Sequence, residues 1–176
     1  MRVVAGRLGG RRLSAPAGAR PTADRVREAL FAILGSVEGA LVLDLFAGSG
    51  ALGIEAISRG AAGAVFVDRD RCAVAAIRRN LRALGLEASV DRSDALAFVR
   101  ARAESEQPAF DLIFVDPPYS SAGRLAEPLA ELLPAIATQT ARIVTESDKR
   151  APLELAMPLA LTRAYGDTRI AVHRVR

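Results

Sequence analysis

Residues 41–55 read Leu41-Val42-Leu43-Asp44-Leu45-Phe46-Ala47-Gly48-Ser49-Gly50-Ala51-Leu52-Gly53-Ile54-Glu55. An apolar run of strand length carries a carboxylate near its tip, passes through a glycine-rich turn and opens into a helix-forming stretch. Without Cβ atoms the turn lets the backbone approach a ligand closely. The spacing Gly48-x-Gly50-x-x-Gly53 also satisfies the dinucleotide fingerprint, with Asp68 in the place of its ribose-binding acid. Asp44 separates the two readings, because a carboxylate at the strand tip repels a pyrophosphate and attracts the ammonium group of S-adenosylmethionine. A methionine-type cofactor is therefore expected at this turn, with Asp44 facing its ammonium group.

Outward from this turn the pattern alternates. Strand-like runs at 41–45, 64–67, 88–90, 111–115 and 141–145 are interleaved with helix-like stretches at 51–58, 71–84, 95–104 and 125–138. This is the pattern of an α/β, Rossmann-like doubly wound sheet. Runs at 159–165 and 168–175, joined by Gly166-Asp167, leave no room for a crossover helix and predict an antiparallel hairpin at the sheet edge. Ahead of the sheet, 2–5 and 11–13 flank Gly9-Gly10 as a small hairpin, and a helix is expected over 23–34, with Val26, Leu30, Ile33 and Leu34 on one face.

The 176 residues suit one domain, 1–176, with 1–36 as a basic extension of it. The one cysteine, Cys72, excludes an intramolecular disulfide, and with the single His173 it cannot make a tetrahedral zinc site, so no metal is expected. No apolar run is long enough to span a bilayer and the first residues lack a signal-peptide core, so a cytoplasmic protein is expected. Of the net charge of +4, residues 1–30 contribute seven arginines against Asp24 and Glu28, and the rest of the chain is close to neutral. A basic arm of Arg2, Arg7, Arg11, Arg12, Arg20, Arg25 and Arg27 before a neutral body points to nucleic acid.

Two further acids fit a nucleoside. Asp68 ends the second strand, where it can accept from both ribose hydroxyls, with Arg69 beside it; Asp70 is read as the cap of the next helix. Asp94, followed by Ala95, can accept from an adenine amine or cap its own helix. The most specific feature is Asp116-Pro117-Pro118-Tyr119 after the apolar run 112–115. The prolines fix an extended backbone, so the Asp116 carboxylate and the Pro117 carbonyl can converge on one point. An exocyclic base amine is a weak nucleophile because its lone pair is delocalised into the ring. Two acceptors on its N–H bonds hold it pyramidal and aimed at an electrophilic methyl group, while Tyr119 offers a stacking face to an extruded base. His173 is read as a packing residue, and Glu146 with Asp148 as a solvated strand end.

Together these residues resemble the class I S-adenosylmethionine-dependent methyltransferases. Val4-Ala5-Gly6-Arg7-Leu8-Gly9-Gly10-Arg11-Arg12-Leu13 and Arg20-Pro21-Thr22-Ala23-Asp24-Arg25-Val26-Arg27-Glu28-Ala29-Leu30-Phe31 are similar to the RsmD-like 16S rRNA guanine-N2 methyltransferases, as is the closing Tyr165-Gly166-Asp167-Thr168. The resemblance implies strand order 3-2-1-4-5-7-6 with the last strand antiparallel. It also implies methylation of the N2 amine of one guanine of 16S rRNA, within a 30S subunit or assembly intermediate. Asp44, Phe46, Gly48, Ser49, Gly50, Asp68, Arg69, Asp94, Ala95, Thr22 and Arg25 fall on the cofactor side. By the same resemblance Asp116, Pro117 and Tyr119 are expected as the catalytic residues, and Arg7, Arg11, Arg12, Arg20 and Pro118 are expected to bind substrate. Ala32 stands where the family usually has Asn, and Asp68 where it often has Glu. Transfer to adenine N6 or to a glutamine amide suits the same Asp116 motif, whereas a nucleotide-dependent oxidoreductase conflicts with Asp44 and with that motif.

Overall fold

The computed structural model describes residues 1–16, 23–105, 109–118 and 121–176. Its strands are β1 (Leu41–Leu45), β2 (Gly63–Val67), β3 (Ser89–Asp91), β4 (Phe110–Val115), β5 (Ala137–Asp148), β6 (Leu159–Tyr165) and β7 (Thr168–Arg174). The helices are α1 (Asp24–Leu34), α2 (Ala51–Ser58), α3 (Arg71–Leu84), α4 (Ala95–Ala103) and α5 (Ala122–Leu132). The strands form one sheet in the order β3-β2-β1-β4-β5-β7-β6, the order the resemblance implied. From β3 to β5 neighbours pair in parallel, and β7 runs antiparallel to both β5 and β6.

Alternation along the central strands divides the core into two layers. Val42, Leu112 and Phe114 pack on one face with Leu30, Phe31, Ile54 and Ile77; Leu43, Leu45, Ile113 and Val115 pack on the other with Val99, Leu129 and Leu133. Both faces are covered, which is why these strands are apolar at nearly every position. Asp70 caps α3 by accepting from the Cys72 and Ala73 N–H groups, and Gly85 ends it in the left-handed conformation, both as expected. The helix expected over 125–138 is displaced: α5 begins at Ala122 and stops at Leu132, a single 3₁₀ turn carries Pro134, and Ala137 already pairs with Phe110 in β5. Proline at 134 removes a helical donor, and the threonines at 138 and 140 favour the extended chain.

The basic arm is built into the body. Arg2 and Arg12 bridge in antiparallel register, and Val3 and Leu13 lie in the core. Glu55, fully buried on α2, accepts from the Val4 and Ala5 N–H groups at 2.7 and 2.9 Å and from Arg59 Nε at 2.7 Å. Ser58 of the same helix donates to the Ala5 carbonyl and accepts from the Leu8 N–H. Gly6 passes so close that a Cβ there would stand 2.0 Å from the Ser58 carbonyl oxygen, at a φ of +79° that also favours glycine. Arg27, counted from sequence among the arm's free cations, is wholly buried, donating to the Arg2 carbonyl and pairing with Asp24 at 2.6 Å. It braces the hairpin against α1 and is unavailable to a nucleic acid. Ala32, where a contact through the family's Asn was in question, is exposed.

Replacing Glu55 strands two backbone donors at a buried site. Glu55→Ala is expected to lower unfolding free energy by about 2–4 kcal/mol in urea titration and to open residues 1–13 to limited proteolysis, because unmade buried hydrogen bonds cost about 1–3 kcal/mol each. A hairpin that stays protease-resistant in this variant would show that Glu55 does not hold it.

Candidate active site

The carboxyl ends of the parallel strands open onto a cavity of about 850 Å³, a size suited to a nucleoside-sized ligand with room beside it. Its walls among the described residues include Phe46, Gly48, Asp68, Arg69, Asp94, Asp116, Pro117 and Pro118, so eight of the residues singled out from sequence converge on one space. Pro16, Asp70, Leu96, Arg124, Leu125 and Glu146 complete much of the rest. Thr22, Arg20 and Tyr119 lie outside the described residues.

The glycine turn meets its obligations internally. Gly48 N–H donates to Asp68 Oδ2 at 2.9 Å, Gly50 N–H to the Ala47 carbonyl at 2.7 Å, and Gly53 N–H to Asp44 Oδ2 at 2.9 Å. The three glycine amides are thus engaged within the protein, and the acids that hold two of them disfavour a pyrophosphate at this turn. Gly53 answers instead to packing, since a Cβ there would lie 2.4 Å from the Phe66 ring. Gly50 starts α2 at φ +77° against Phe66 and Ile77.

Five of the residues expected on the cofactor side do not line the described wall. Asp44 is buried behind the turn and does not line the cavity; it ties β1 to α2 and acts on the site through its charge. Ser49 and Gly50 are buried, Ser49 Oγ approaching Met1 Sδ at 3.5 Å, and neither reaches the cavity. Ala95 faces the core while the next residue, Leu96, lines the wall. Arg25 is exposed on α1 and is not part of the described wall.

The residues that remain fit a nucleoside cofactor. Asp68 accepts from the Gly48 and Asp70 N–H groups, one on each oxygen, which leaves lone pairs on both for vicinal hydroxyls. Asp94 takes both helix-cap bonds, from Leu96 and Ala97, on Oδ1 and keeps Oδ2 for a ligand. The described wall carries five carboxylates against Arg69 and Arg124, a field that favours a cation over a phosphate.

That field also shifts its members. The Asp44 carboxyl is pushed up to about 7, chiefly by burial and further by the charge of Asp68, against the stabilising Gly53 hydrogen bond. Asp116 is raised well above the ordinary carboxylate range by the low-dielectric wall around it and by the charges of Glu146 and Asp44. Glu146 and Arg124 were not chosen from sequence as site residues. Glu146 looked like a solvated strand end, but β7 and β6 beyond β5 leave it buried, with the cavity wall as its outlet. His173 is buried as a packing residue, and burial holds its imidazole pKa down. Among the described residues no cluster of ligating side chains could hold a metal ion, and no helix is long and apolar enough to cross a membrane.

A doubly wound sheet of this order, with an acid ending β2 and Asp-Pro-Pro following β4 over one cavity, defines a class I methyltransferase. The profile of a family described as "Conserved hypothetical protein 95" matches residues 1–174, and the chain belongs to this family, the RsmD-like methyltransferases. The chain is 41% identical over 189 residues to the Bacillus subtilis protein YlbH, named provisionally as an rRNA methyltransferase, covering all of both chains. It is 43% identical over 123 residues to ribosomal RNA small subunit methyltransferase D of Escherichia coli, an alignment spanning 68% of this chain and 60% of that protein. Among solved structures, the Thermus thermophilus hypothetical protein TTHA0928 superposes with a TM-score of 0.84 at 33% identity over 99% of each chain. The Thermus thermophilus 16S rRNA N2 methyltransferase RsmC, in complex with AdoMet and guanosine, superposes at 0.72 with 26% identity over 91% of this chain and 44% of that one.

The raised Asp44 pKa makes stability depend on pH. The unfolded chain loses this proton near 3.8 and the folded chain only near 7, so the contribution is complete below about pH 4 and is lost as pH rises to about 7. Asp44→Asn keeps an oxygen acceptor for Gly53. Urea titrations from pH 5 to 7 are expected to show wild-type stability falling by on the order of 1 kcal/mol per pH unit from this group, with a flatter profile in the variant. Identical slopes would show that Asp44 ionises normally.

Proposed function

We propose that this protein transfers the methyl group of S-adenosylmethionine to the exocyclic N2 amine of a guanine in 16S rRNA, within a 30S subunit or an assembly intermediate. The observation that carries this reading is the opening of Asp116 and Pro117 onto the same cavity as Asp68 and Asp94, so that a base amine and a nucleoside cofactor can meet in one chamber. The E. coli relative is named for small-subunit rRNA and the RsmC structure holds AdoMet with guanosine, which supports both the substrate and the cofactor.

When bound, the cofactor supplies an electrophilic methyl on a sulfonium sulfur. Asp68 would hold its ribose and Asp94 the edge of its adenine. Asp116 and the Pro117 carbonyl accept from the two N–H bonds of the target amine and turn its lone pair toward the methyl carbon. Such alignment can supply about 7–11 kcal/mol of the barrier. As the C–N bond forms and the C–S bond breaks, the amine becomes cationic, and Asp116, Asp44 and Glu146 stabilise that charge. The proton can leave afterwards to Asp116 or water. Pro118, exposed at the rim, and Tyr119 would stack on the flipped base.

Residues 1–176 act on this reading as one methyltransferase domain, with the hairpin and helix of 1–36 as its RNA grip. Arg7, Arg11 and Arg12 are exposed on the hairpin, and the chain continues from it to Pro16 at the cavity wall. Arg20 in the following segment, with Thr22 and Arg25 near it, would extend the contact to phosphates or to the cofactor carboxylate.

Purified protein with labelled S-adenosylmethionine is expected to methylate 30S particles that lack the mark, and mass spectrometry should place the label on guanine N2. Label in DNA or protein instead would overturn the reading. Asp116→Ala should lose at least about 10²-fold in kcat with cofactor binding retained. Asp116→Asn keeps an acceptor oxygen, so it should retain measurable transfer and lose the acid limb of the pH–rate profile, which in wild type lies above the usual carboxylate range. Replacing Arg11 and Arg12 with Ala should weaken RNA binding and reduce the slope of log K against log salt by about 1–2, leaving cofactor affinity unchanged.

A further inference from the structure

Glu146 is a buried acid beside Asp116 at the carboxyl end of the sheet. It is 7% exposed, and what it exposes belongs to the cavity wall. Val115 of β4 pairs with Thr145 of β5, so Asp116 and Glu146 follow on adjacent strands at the same level, close enough for each charge to act on the other. Its backbone is also paired on the far side, opposite Ile170 of β7, so it sits within the sheet rather than on a loop. Asp94 and Asp68 lie over β3 and β2, and Glu146 lies beyond Asp116 from them, away from the nucleoside end.

Accepting the proposed substrate, the atom next to the reactive amine decides what can face Glu146. Guanine carries N1–H beside its N2 amine, a second donor on the same edge. Adenine carries a bare N1 lone pair beside its N6 amine, which a buried carboxylate repels. We propose that Glu146 is a specificity-determining residue that accepts the N1–H of the target base while Asp116 and Pro117 hold the adjacent amine, so that the pair of acids on β4 and β5 selects guanine over adenine. This rests on the function proposed above. It also explains why an acid is kept in a wall where it raises the proton affinity of its neighbour: an apolar residue at 146 would admit either purine.

The test uses 30S particles reconstituted with 16S rRNA carrying either guanine or 2-aminopurine at the mapped site. 2-Aminopurine keeps the reactive amine and replaces N1–H with a lone pair. Wild type is expected to favour guanine by at least about tenfold in kcat/KM, the scale of one specific base contact. Glu146→Gln, whose amide can accept from N1–H or donate to the lone pair, should narrow that preference to within about threefold, with cofactor affinity unchanged. A wild-type enzyme that uses both bases equally overturns the inference, and so does a Gln variant that keeps full discrimination. If Glu146→Gln does not fold, the wild-type comparison still decides, and Glu146→Asp should raise KM while keeping the preference for guanine. Failure of the wild type to methylate guanine in unmodified particles is a different result, since it removes the proposed function itself.

Discussion

The hydrogen bond from the Gly53 N–H to Asp44 is the constraint on which the site is built. It joins the tip of the central strand to the first turn of α2, and it works only because position 53 has no side chain to strike Phe66. A second carboxylate, Asp68, closes the other end of the turn through Gly48. With both ends fixed, the turn presents a smooth backbone surface, and the acid of β2 is held at the cavity edge with lone pairs to spare. The acids matter as much as the glycines, because carboxylates bonded at Gly48 and Gly53 set a pattern shared with phosphate-binding loops in a field that disfavours phosphate.

From that anchor the carboxyl end of the sheet is organised as a row of acids. Asp94, Asp68, Asp44, Asp116 and Glu146 stand at or just beyond the ends of β3, β2, β1, β4 and β5, in spatial order across five strands. The row splits at Asp44: acids over β3 and β2 suit a nucleoside, and those over β4 and β5 suit a base edge rich in donors. Burial and the concentration of acids in one chamber raise the proton affinity of Asp44 and Asp116, and the same field attracts a sulfonium and a developing ammonium. The cavity thus discriminates by charge before any contact is made.

The N-terminal hairpin couples the body to whatever its arginines meet. Glu55 and Ser58 take up its backbone donors, Asn80 bridges Ser14 to the Ser49 carbonyl, and Arg27 braces it from α1. Two of the arm's arginines, Arg2 and Arg27, meet Asp24, so among the described residues the charge left to face outward is smaller than the composition suggested and lies at Arg7, Arg11, Arg12 and Arg25.

The alternation of apolar runs with helical stretches, the glycine turn and the Asp116 motif determined the fold class and eight of the wall residues by themselves, because each rests on local chemistry: period, φ and a side chain that must follow a strand. Tertiary structure alone decided the rest. Pro134 ended α5 early because the next residues were needed as a partner for β4. Ser49, Gly50 and Ala95 sit within a residue or two of the cavity and still face the core, a difference of direction that spacing cannot encode. Asp44, expected from sequence at the strand tip, is buried and bonds Gly53, since α2 packs over it. Glu146, read as a solvated strand end, became part of the wall because the hairpin that follows in sequence folds back and pairs β7 with β5. Local pattern names which residues can do chemistry, but only packing settles which way each points and how much water it keeps.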